Sequence, residues 1–381
     1  MVIAPYGHRK HVKRNPMKLS NYSQGRDNNF NLIRIIAALA VLVTHSFALA
    51  IGTADAEPFR DSLGMTLGSV AVDVFFITSG FLVTASLLNR QSTIEFIWAR
   101  ALRIFPALIV MLFLTVFVLG VVFTALPTLT YLSSPEIYIY FGKCVTLISG
   151  VGYILPGVFD DNPYKHAVNG SLWTMPWEIR MYAILAVSWL ALRVTSKFRL
   201  ALFQRLIVVL AFVFGVGVFF THFYATSIRH HQAMLFFMFF LGASFYVLRE
   251  KILLSRWGFF FCMISLGLAT FHEHVFFIVY VIVIAYVLFY LAYVPSGFIR
   301  KYNQLGDYSY GIYIYAFPVQ QSVAHLMPGV SVLQMVLVSA AATSLLAIFS
   351  WHLLEQRALR YKAHYVGHTR RLLESNLLRG R

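Results

Sequence analysis

The sequence has few charged residues and almost no cysteine. Charged residues make up 12% of the 381 residues, whereas hydrophobic residues make up 59%. A charged fraction this low excludes an ordinary soluble domain, in which about a quarter of the residues are charged. Cys144 and Cys262 are too few and too far apart for a disulfide framework or a cysteine metal site, and no metal is expected. The composition therefore predicts an all-α polytopic membrane protein.

Acidic residues are scarcer than basic ones. The chain has 15 Asp and Glu against 31 Lys and Arg, which gives a net charge of +16. The basic residues lie in two terminal tails and in short loops between apolar runs, so we exclude nucleic acid as a partner. The predicted tails are residues 1–27 and 357–381, on either side of a membrane domain at 28–356. The first tail is too polar to be a cleaved signal peptide.

Long apolar runs recur along the chain and predict about ten membrane-spanning helices. They lie at residues 29–51, 64–88, 104–126, 171–192, 201–220, 232–248, 257–271, 275–294, 306–325 and 331–353. Each even-numbered run before the last is followed by a basic loop, such as the one that contains Arg90 and Arg100. Because cytoplasmic loops are enriched in Lys and Arg, we expect both termini in the cytoplasm.

The first apolar run carries two ionisable residues, Arg34 near its start and His45 toward its end. They are eleven positions apart, which places them on nearly one helix face and roughly 16 Å apart along its axis. Ionisable groups in a membrane helix usually face the protein interior or a watery cavity. A simpler interpretation is an arginine that reaches the membrane interface and a histidine that is hydrogen-bonded in the core.

Two carboxylates are predicted at a depth close to that of His45. By helical rise, His45, Glu178 and Asp73 lie about 9, 10 and 13 Å below the outer ends of their helices. This arrangement predicts a reaction centre in which the imidazole acts as a base and a carboxylate orients it. A structural alternative is that Asp73 and Glu178 neutralise Arg180 or bind polar backbone groups.

A second polar layer is predicted at the cytoplasmic ends of the helices. It contains Arg34, Arg100 and Arg103, whose planar guanidinium groups are well suited to phosphate. Basic residues are common in any cytoplasmic loop, so the pattern alone does not establish phosphate binding. Asp307 and Glu355 are predicted to belong to this layer and would equally serve to hold the arginines in place.

Two further groups of residues have structural interpretations. The tyrosines of the ninth run predict an interface belt and a helix-packing stripe: Tyr308, Tyr310, Tyr313 and Tyr315. Five histidines of the outer loops are spaced too irregularly to indicate a metal site and are interpreted as surface residues: His222, His230, His231, His272 and His274.

Six motifs occur in order along residues 28–360. They are LIRIIAALAVLVTH with Arg34 and His45, VDVFFITSGFLV with Asp73, Arg100-Ala-Leu-Arg103, NGSLWTMPWEIRMY with Ser171, Trp173, Glu178 and Tyr182, GDYSYGIYIYAFP with Asp307 and Tyr310, and SWHLLEQRAL with Glu355. Together they resemble the bacterial acyltransferase-3 family of integral-membrane acyltransferases. Two positions depart from the family pattern, since Arg357 stands where proline is usual and Arg180 is not expected.

The resemblance implies an O-acetyltransferase of the inner (plasma) membrane. It implies transfer of an acyl group, usually acetyl, from cytoplasmic acyl-CoA to a hydroxyl of a cell-surface or exported saccharide, such as O-antigen, exopolysaccharide or lipo-oligosaccharide. The expected partners are the lipid bilayer, acyl-CoA and this saccharide, and a homo-oligomer is left open. The short basic tail after the membrane domain resembles the stand-alone type, which lacks a fused hydrolase-like domain.

The residues divide into three expected roles. His45, Asp73 and Glu178 would be catalytic, and Arg34, Arg100 and Arg103 would bind the phosphates of acyl-CoA. Substrate or structural support would come from Ser171, Trp173, Tyr182, Asp307, Tyr310 and Glu355. Direct transfer and a covalent acyl-histidine intermediate are both left open.

A rival hypothesis from another class is a proton-coupled secondary transporter. It would use His45, Asp73 and Glu178 as a proton relay. Transporters of this class usually show inverted repeats and a pair of helices broken by Gly or Pro, and the sequence shows neither. A regulatory protein that keeps the fold without the chemistry is disfavoured by the intact arginines and histidine of the motifs.

Overall fold

The structure, a computed structural model, describes residues 17–25, 27–165, 167–195, 197–224 and 227–379. The chain is all-α and 80% helical. Residues 1–16, 26 and 380–381 of the two predicted tails lie outside the described residues.

A helix lies at each of the ten predicted apolar runs. The helices are α1 Phe30–Ile51, α2 Leu67–Arg90, α3 Thr93–Phe113, α4 Met175–Ala191, α5 Arg199–Tyr224, α6 Ser227–Val247, α7 Arg256–Ala269, α8 Glu273–Tyr293, α9 Ser309–Leu326 and α10 Val332–Ser350. Among the described residues, six helical stretches are long and apolar enough to cross a membrane: Phe30–Ile51, Leu67–Arg90, Thr93–Phe123, Arg199–Tyr224, Glu273–Tyr293 and Val332–Ser375. These helices confirm the predicted class, an all-α polytopic membrane protein, whereas the number of ten membrane crossings stays a prediction.

Polar caps set the starts of several helices. Thr66 and Ser69 form a capping box at α2, in which each side chain binds the other residue's backbone N–H. The Ser92 hydroxyl accepts from the backbone N–H of Glu95 and begins α3. This cap starts α3 eleven residues before the predicted run at 104. As a result, Arg100 lies inside a helix and has a fixed direction, instead of lying in a loop.

The outer loop before α4 enters the bundle alongside α9. The Asn162 amide donates to Oε1 of Gln321 at 2.7 Å, and Gln321 donates to the backbone oxygen of Ala167 at 2.7 Å. The Asn169 amide donates to the backbone oxygen of Ile314 at 3.0 Å, and Asn169 is fully buried. Buried backbone groups need such partners. The chain is therefore already inside the protein when α4 begins.

The described parts of both predicted tails pack on the membrane domain. Strand β1, Met17–Lys18, pairs antiparallel with β2, Leu253–Leu254, in the loop after α6. At the other terminus, α11, Lys362–Arg379, lies against α3. The Trp98 ring stacks on Tyr365 with centroids 4.6 Å apart.

Helices α2 and α6 approach each other through two glycines. A Cβ atom at Gly80 would overlap the backbone oxygen of Phe239, and one at Gly242 would overlap the backbone oxygen of Ile77. Glycine therefore permits backbone-to-backbone packing here, which is a common way for membrane helices to associate.

We expect Gly242→Ala to lower the stability of the protein in detergent by about 1–3 kcal/mol, since one of two packed backbones must shift. Gly217→Ala on α5 is the matched control, because a Cβ atom there would meet no atom within 4 Å. In a helix interior the control should be neutral or stabilising by about 0.5–1 kcal/mol. The apparent melting temperatures of both variants check this, and equal values would contradict the close approach.

Candidate active site

Two cavities lie inside the helical bundle and share part of their walls. We name them by their ionisable residues. The arginine cavity has a volume of about 100 Å³, and its polar lining includes Arg34, Ser79, Arg100, Arg103, Glu178, Tyr182 and Tyr310. The histidine cavity has a volume of about 450 Å³, and its lining includes His45, Glu57, Arg60, Asp73, Trp173, His222, His230, His231 and Glu273. Val72 and Tyr313 line both cavities, so these two side chains mark the wall between them.

Two arginines of the arginine cavity are held by carboxylates of the protein itself. Arg103 donates to Asp307 Oδ2 at 2.6 Å and to Glu355 Oε2 at 2.6 Å. Arg34 forms a second ion pair with the same oxygen of Asp307. Ser309 donates two hydrogen bonds to the other oxygen of Asp307, Oδ1, one from its backbone N–H and one from its hydroxyl. Asp307 and Glu355 thus pair with the arginines. This agrees with the prediction that they hold the arginines in place.

Glu355 reaches Arg103 because the helix changes its winding at this point. The segment Trp351–Glu355 is π-helical and directly continues α10. Glu355 is fully buried and also accepts a hydrogen bond from the Ser350 hydroxyl at 3.1 Å. π-Helical turns are often found at functional sites. Here the turn directs a carboxylate into the protein, where an isolated charge would be costly without Arg103.

Arg100 differs from the other two arginines. Among the described residues it has no carboxylate partner, and its Nε is buried without a hydrogen-bond partner. Its guanidinium carbon lies 5.8 Å from the ring centroid of Tyr182. Arg100 is therefore the arginine of this cavity whose charge is not already neutralised by an ion pair within the described part of the chain.

Glu178 lies in the arginine cavity, apart from His45. Its Oε1 accepts hydrogen bonds from Ser79, at 3.1 Å, and from the Tyr182 hydroxyl. Ser79 follows Asp73 by six residues on α2, which is about 9 Å along the helix axis. The predicted common depth of the three ionisable groups is therefore wrong for Glu178. The cause is the segment before α4, which enters the bundle early and carries Glu178 deeper than its sequence position indicates.

His45 and Asp73 line the histidine cavity together but do not pair. Among the described residues, Nδ1 of His45 is buried without a hydrogen-bond partner. The Asp73 carboxylate instead accepts from the Tyr280 hydroxyl at 2.8 Å. Neither Asp73 nor Glu178 is thus hydrogen-bonded to the imidazole, and their predicted catalytic roles stay predictions. The His45 ring packs edge-on against Phe317, with centroids 5.2 Å apart.

Glutamine fixes the helix that carries His45. The Gln320 amide donates to the backbone oxygen of Leu42 at 2.8 Å and to the Ser46 hydroxyl at 2.7 Å. These contacts tie α9 to α1 on either side of His45. Sequence reasoning did not assign Gln320 or Ser79 to the site, and it interpreted Tyr313 only as an interface and packing residue. The available signal was polar side chains within apolar runs, including the Gln320-Gln321 pair and the Thr78-Ser79 pair.

The remaining predicted support residues lie in or beside the walls of the two cavities. The Tyr313 hydroxyl is 2.7 Å from Thr174 Oγ1 and donates to the backbone oxygen of Ser171 at 2.7 Å. Tyr310 donates to the backbone oxygen of Ile104 at 2.9 Å. Trp173 lines the histidine cavity. Tyr310 and Tyr313 therefore contribute to cavity walls in addition to helix packing.

Several charged and imidazole groups surround the outer part of the histidine cavity. Arg60 Nη2 donates to Glu57 Oε2 at 2.5 Å. Burial raises the pKa of the Glu57 carboxyl, while the neighbouring Arg60 opposes that shift. His222, His230 and His231 line this cavity, so the interpretation of all five outer histidines as surface residues is too simple. In the described part of the chain, no group of three His, Cys, Asp or Glu is arranged to hold a metal ion.

Comparison with known proteins assigns this arrangement to a family. The acyltransferase domain that defines the acyltransferase-3 family matches residues 27–352. The chain belongs to the acyltransferase-3 family. It is therefore a membrane O-acyltransferase, and the resemblance in the six motifs is confirmed.

Two relatives of the acyltransferase extend this comparison. An O-acetyl transferase of Shigella phage Sf6 is 28% identical over 354 residues, which cover 88% of this chain and 96% of the relative. Nodulation protein 10 of Rhizobium leguminosarum bv. viciae is 37% identical over 94 residues, which cover 24% of each chain. No solved structure matches the acyltransferase significantly.

The ion-pair network of the acyltransferase leads to a prediction about stability. Arg103→Ala should destabilise the protein by about 3–5 kcal/mol, because it leaves the buried Glu355 carboxylate without its cation. Arg100→Ala is the matched control on the same helix, and its cost should be about 1 kcal/mol or less, since no carboxylate loses a partner. Thermal unfolding of the purified variants measures the difference. Equal destabilisation of the two would show that the network does not hold these helices.

Proposed function

We propose that the acyltransferase moves an acetyl group from acetyl-CoA to a saccharide hydroxyl, and that the two cavities bind the two substrates. The observation that carries this proposal is the shared wall at Val72 and Tyr313, with arginines in one cavity and His45 in the other. Because the cavities adjoin at these two residues, substrates bound in them would have their reacting groups close together there, and such positioning accounts for a large part of enzymatic rate enhancement.

The donor would enter through the arginine cavity. Arg100 is the arginine best suited to an anionic donor, because Arg34 and Arg103 already pair with Asp307. A volume of about 100 Å³ fits the acyl thioester end of a coenzyme and not its nucleotide. The hydroxyls of Ser79 and Tyr182, held by Glu178, would then border the thioester.

The acceptor would occupy the histidine cavity. Its lining combines the aromatic ring of Trp173 with the polar groups of Glu57, Arg60 and Glu273, a mixture that suits a sugar with an apolar face and several hydroxyls. The family resemblance supports a cell-surface or exported saccharide. The name of the phage relative, an O-acetyl transferase, supports acetyl as the transferred group.

His45 would act as the general base. It would take the proton of the acceptor hydroxyl as that oxygen attacks the thioester carbonyl carbon. The carbon–sulfur bond then breaks, and the coenzyme leaves as a thiolate that takes up a proton. Asp73 lines the same cavity and would stabilise the protonated imidazole through space, since its carboxylate is held by Tyr280.

In this proposal the chain crosses the inner (plasma) membrane ten times, with both termini in the cytoplasm. Three features support it: the helix at each of the ten apolar runs, the basic loops between alternate runs, and the charge of the arginine cavity. With this orientation the arginines face the compartment that contains acyl-CoA. The histidine cavity faces the opposite side.

We expect His45→Ala to reduce kcat by about 100- to 10,000-fold, the usual contribution of a general base. The measurement is acetyl transfer from labelled acetyl-CoA to saccharide by the purified protein. His272→Ala is the matched control, because His272 is exposed and does not line the cavity. Full activity of His45→Ala would refute the role of His45, and transport of protons without coenzyme turnover would favour a transporter.

Cysteine labelling tests the proposed orientation. The native Cys144 and Cys262 are both buried, so a membrane-impermeant thiol reagent should react little with the wild type. We expect Ser133→Cys to be labelled in intact cells and Lys197→Cys to be labelled only after permeabilisation. Both positions are exposed, and they lie in connections that the proposal assigns to opposite sides of the membrane. The reverse pattern would invert the topology and would move the arginine cavity away from the cytoplasm.

A further inference from the structure

A groove of about 290 Å³ lies between α11 and the start of α3, outside the arginine cavity. Its lining residues are Arg90, Glu95, Lys362, Ala363, Val366, Gly367 and Arg370. We name it the basic groove. The sequence indicates only a basic terminal tail at this position, whereas the structure folds that tail into one wall of the groove.

The basic groove carries more positive charge than its single carboxylate can neutralise. Glu95 accepts from Arg90 at 2.9 Å and from Arg370 at 3.0 Å. Lys362 has no carboxylate partner within 4 Å in the part of the chain that the structure describes. Three cations around one carboxylate leave an excess of positive charge, which attracts an anionic ligand.

The basic groove connects electrostatically to the arginine cavity through Arg100. Arg100 follows Glu95 by five residues on α3, which is about 7.5 Å along the axis. Lys362 is close enough to Arg100 for their charges to interact. Helix α3 therefore contributes Glu95 to the groove and, farther along its axis, Arg100 to the arginine cavity.

The groove is held in shape by contacts between its two walls. Trp98 stacks on Tyr365 at 4.6 Å, and its indole N–H donates to the Thr369 hydroxyl at 2.9 Å. Val366 is 7% exposed. Because α11 is fixed to α3 in this way, a ligand would not have to pay the entropy cost of ordering the helix.

We propose that the basic groove binds the phosphates of the donor's nucleotide while the acyl-pantetheine arm extends past Arg100 into the arginine cavity. This inference rests on the proposed function, in which acyl-CoA is the donor. It assigns a binding role to Lys362 and Arg370, outside the motifs that carry the family resemblance. It also accounts for the small arginine cavity, which has no room for a nucleotide.

A donor without a nucleotide provides the test. The full-length double variant Lys362→Gln/Arg370→Gln is assayed with acetyl-CoA and with S-acetyl-pantetheine, which lacks the nucleotide phosphates. With acetyl-CoA, KM should rise by about tenfold, as expected for the loss of charge-assisted contacts to phosphate, and kcat should stay unchanged. With S-acetyl-pantetheine, KM should equal that of the wild type. Arg371→Gln is the matched control, because Arg371 is exposed on α11 and does not line the groove.

Three results would overturn the inference. An unchanged KM for acetyl-CoA would exclude phosphate binding in the groove, and an equal loss with both donors would indicate a structural role for α11. A loss that appears only in nanodiscs containing anionic lipid, with either donor, would assign the groove to lipid headgroups. A wild type that transfers acetyl from neither donor would instead refute the proposed function itself, so the two failures are distinguishable.

Discussion

The site depends on the pairing of Arg103 with two carboxylates at one end of the helical bundle. Arg103 on α3 binds Asp307 just before α9 and Glu355 just after α10, and Arg34 on α1 joins through Asp307. Four helices are thus joined by charges that would be costly to bury alone. Because these carboxylates neutralise Arg34 and Arg103, the network fixes the frame of the arginine cavity. Arg100 stays outside the network, and in the proposed reaction it meets the anionic donor.

The two cavities separate tasks that one mixed polar centre would combine. The arginine cavity holds hydroxyl groups around Glu178, and the histidine cavity holds His45 and Asp73. Val72 and Tyr313 line both cavities and form the wall between them. A base that is kept apart from the arginines avoids their positive field, which would disfavour its protonated form. In the proposed reaction this separation also keeps a charged donor on one side and a sugar on the other.

The sequence predicts the helices well and their exact ends poorly. Apolar runs of sufficient length identify each of the ten helices, because hydrophobicity over about 20 residues is a local property of the chain. The early start of α3 depends on the Ser92 cap, and the entry of the loop before α4 depends on hydrogen bonds from Asn162 and Asn169 to α9. The C-terminal helix α11 packs through Trp98, a contact between residues more than 250 positions apart. The Ser92 cap is a local signal that hydropathy alone does not detect, and the contacts between distant residues leave no periodic signal in the sequence.

The sequence by itself determined the membrane class, the family motifs and the ionisable residues of the apolar runs, such as His45, Asp73 and Glu178, since rare charges in apolar runs are conspicuous. Only the tertiary structure decided how these residues are partnered. In the structure Asp73 accepts a hydrogen bond from Tyr280, and Glu178 accepts hydrogen bonds from Ser79 and Tyr182. Arg100 has no carboxylate partner among the described residues. The physical reason is that the helical repeat, which can be read from the sequence, fixes only the direction in which a side chain points around the axis of its helix. The depth and crossing of neighbouring helices, which select its partner, are set by packing of the whole bundle.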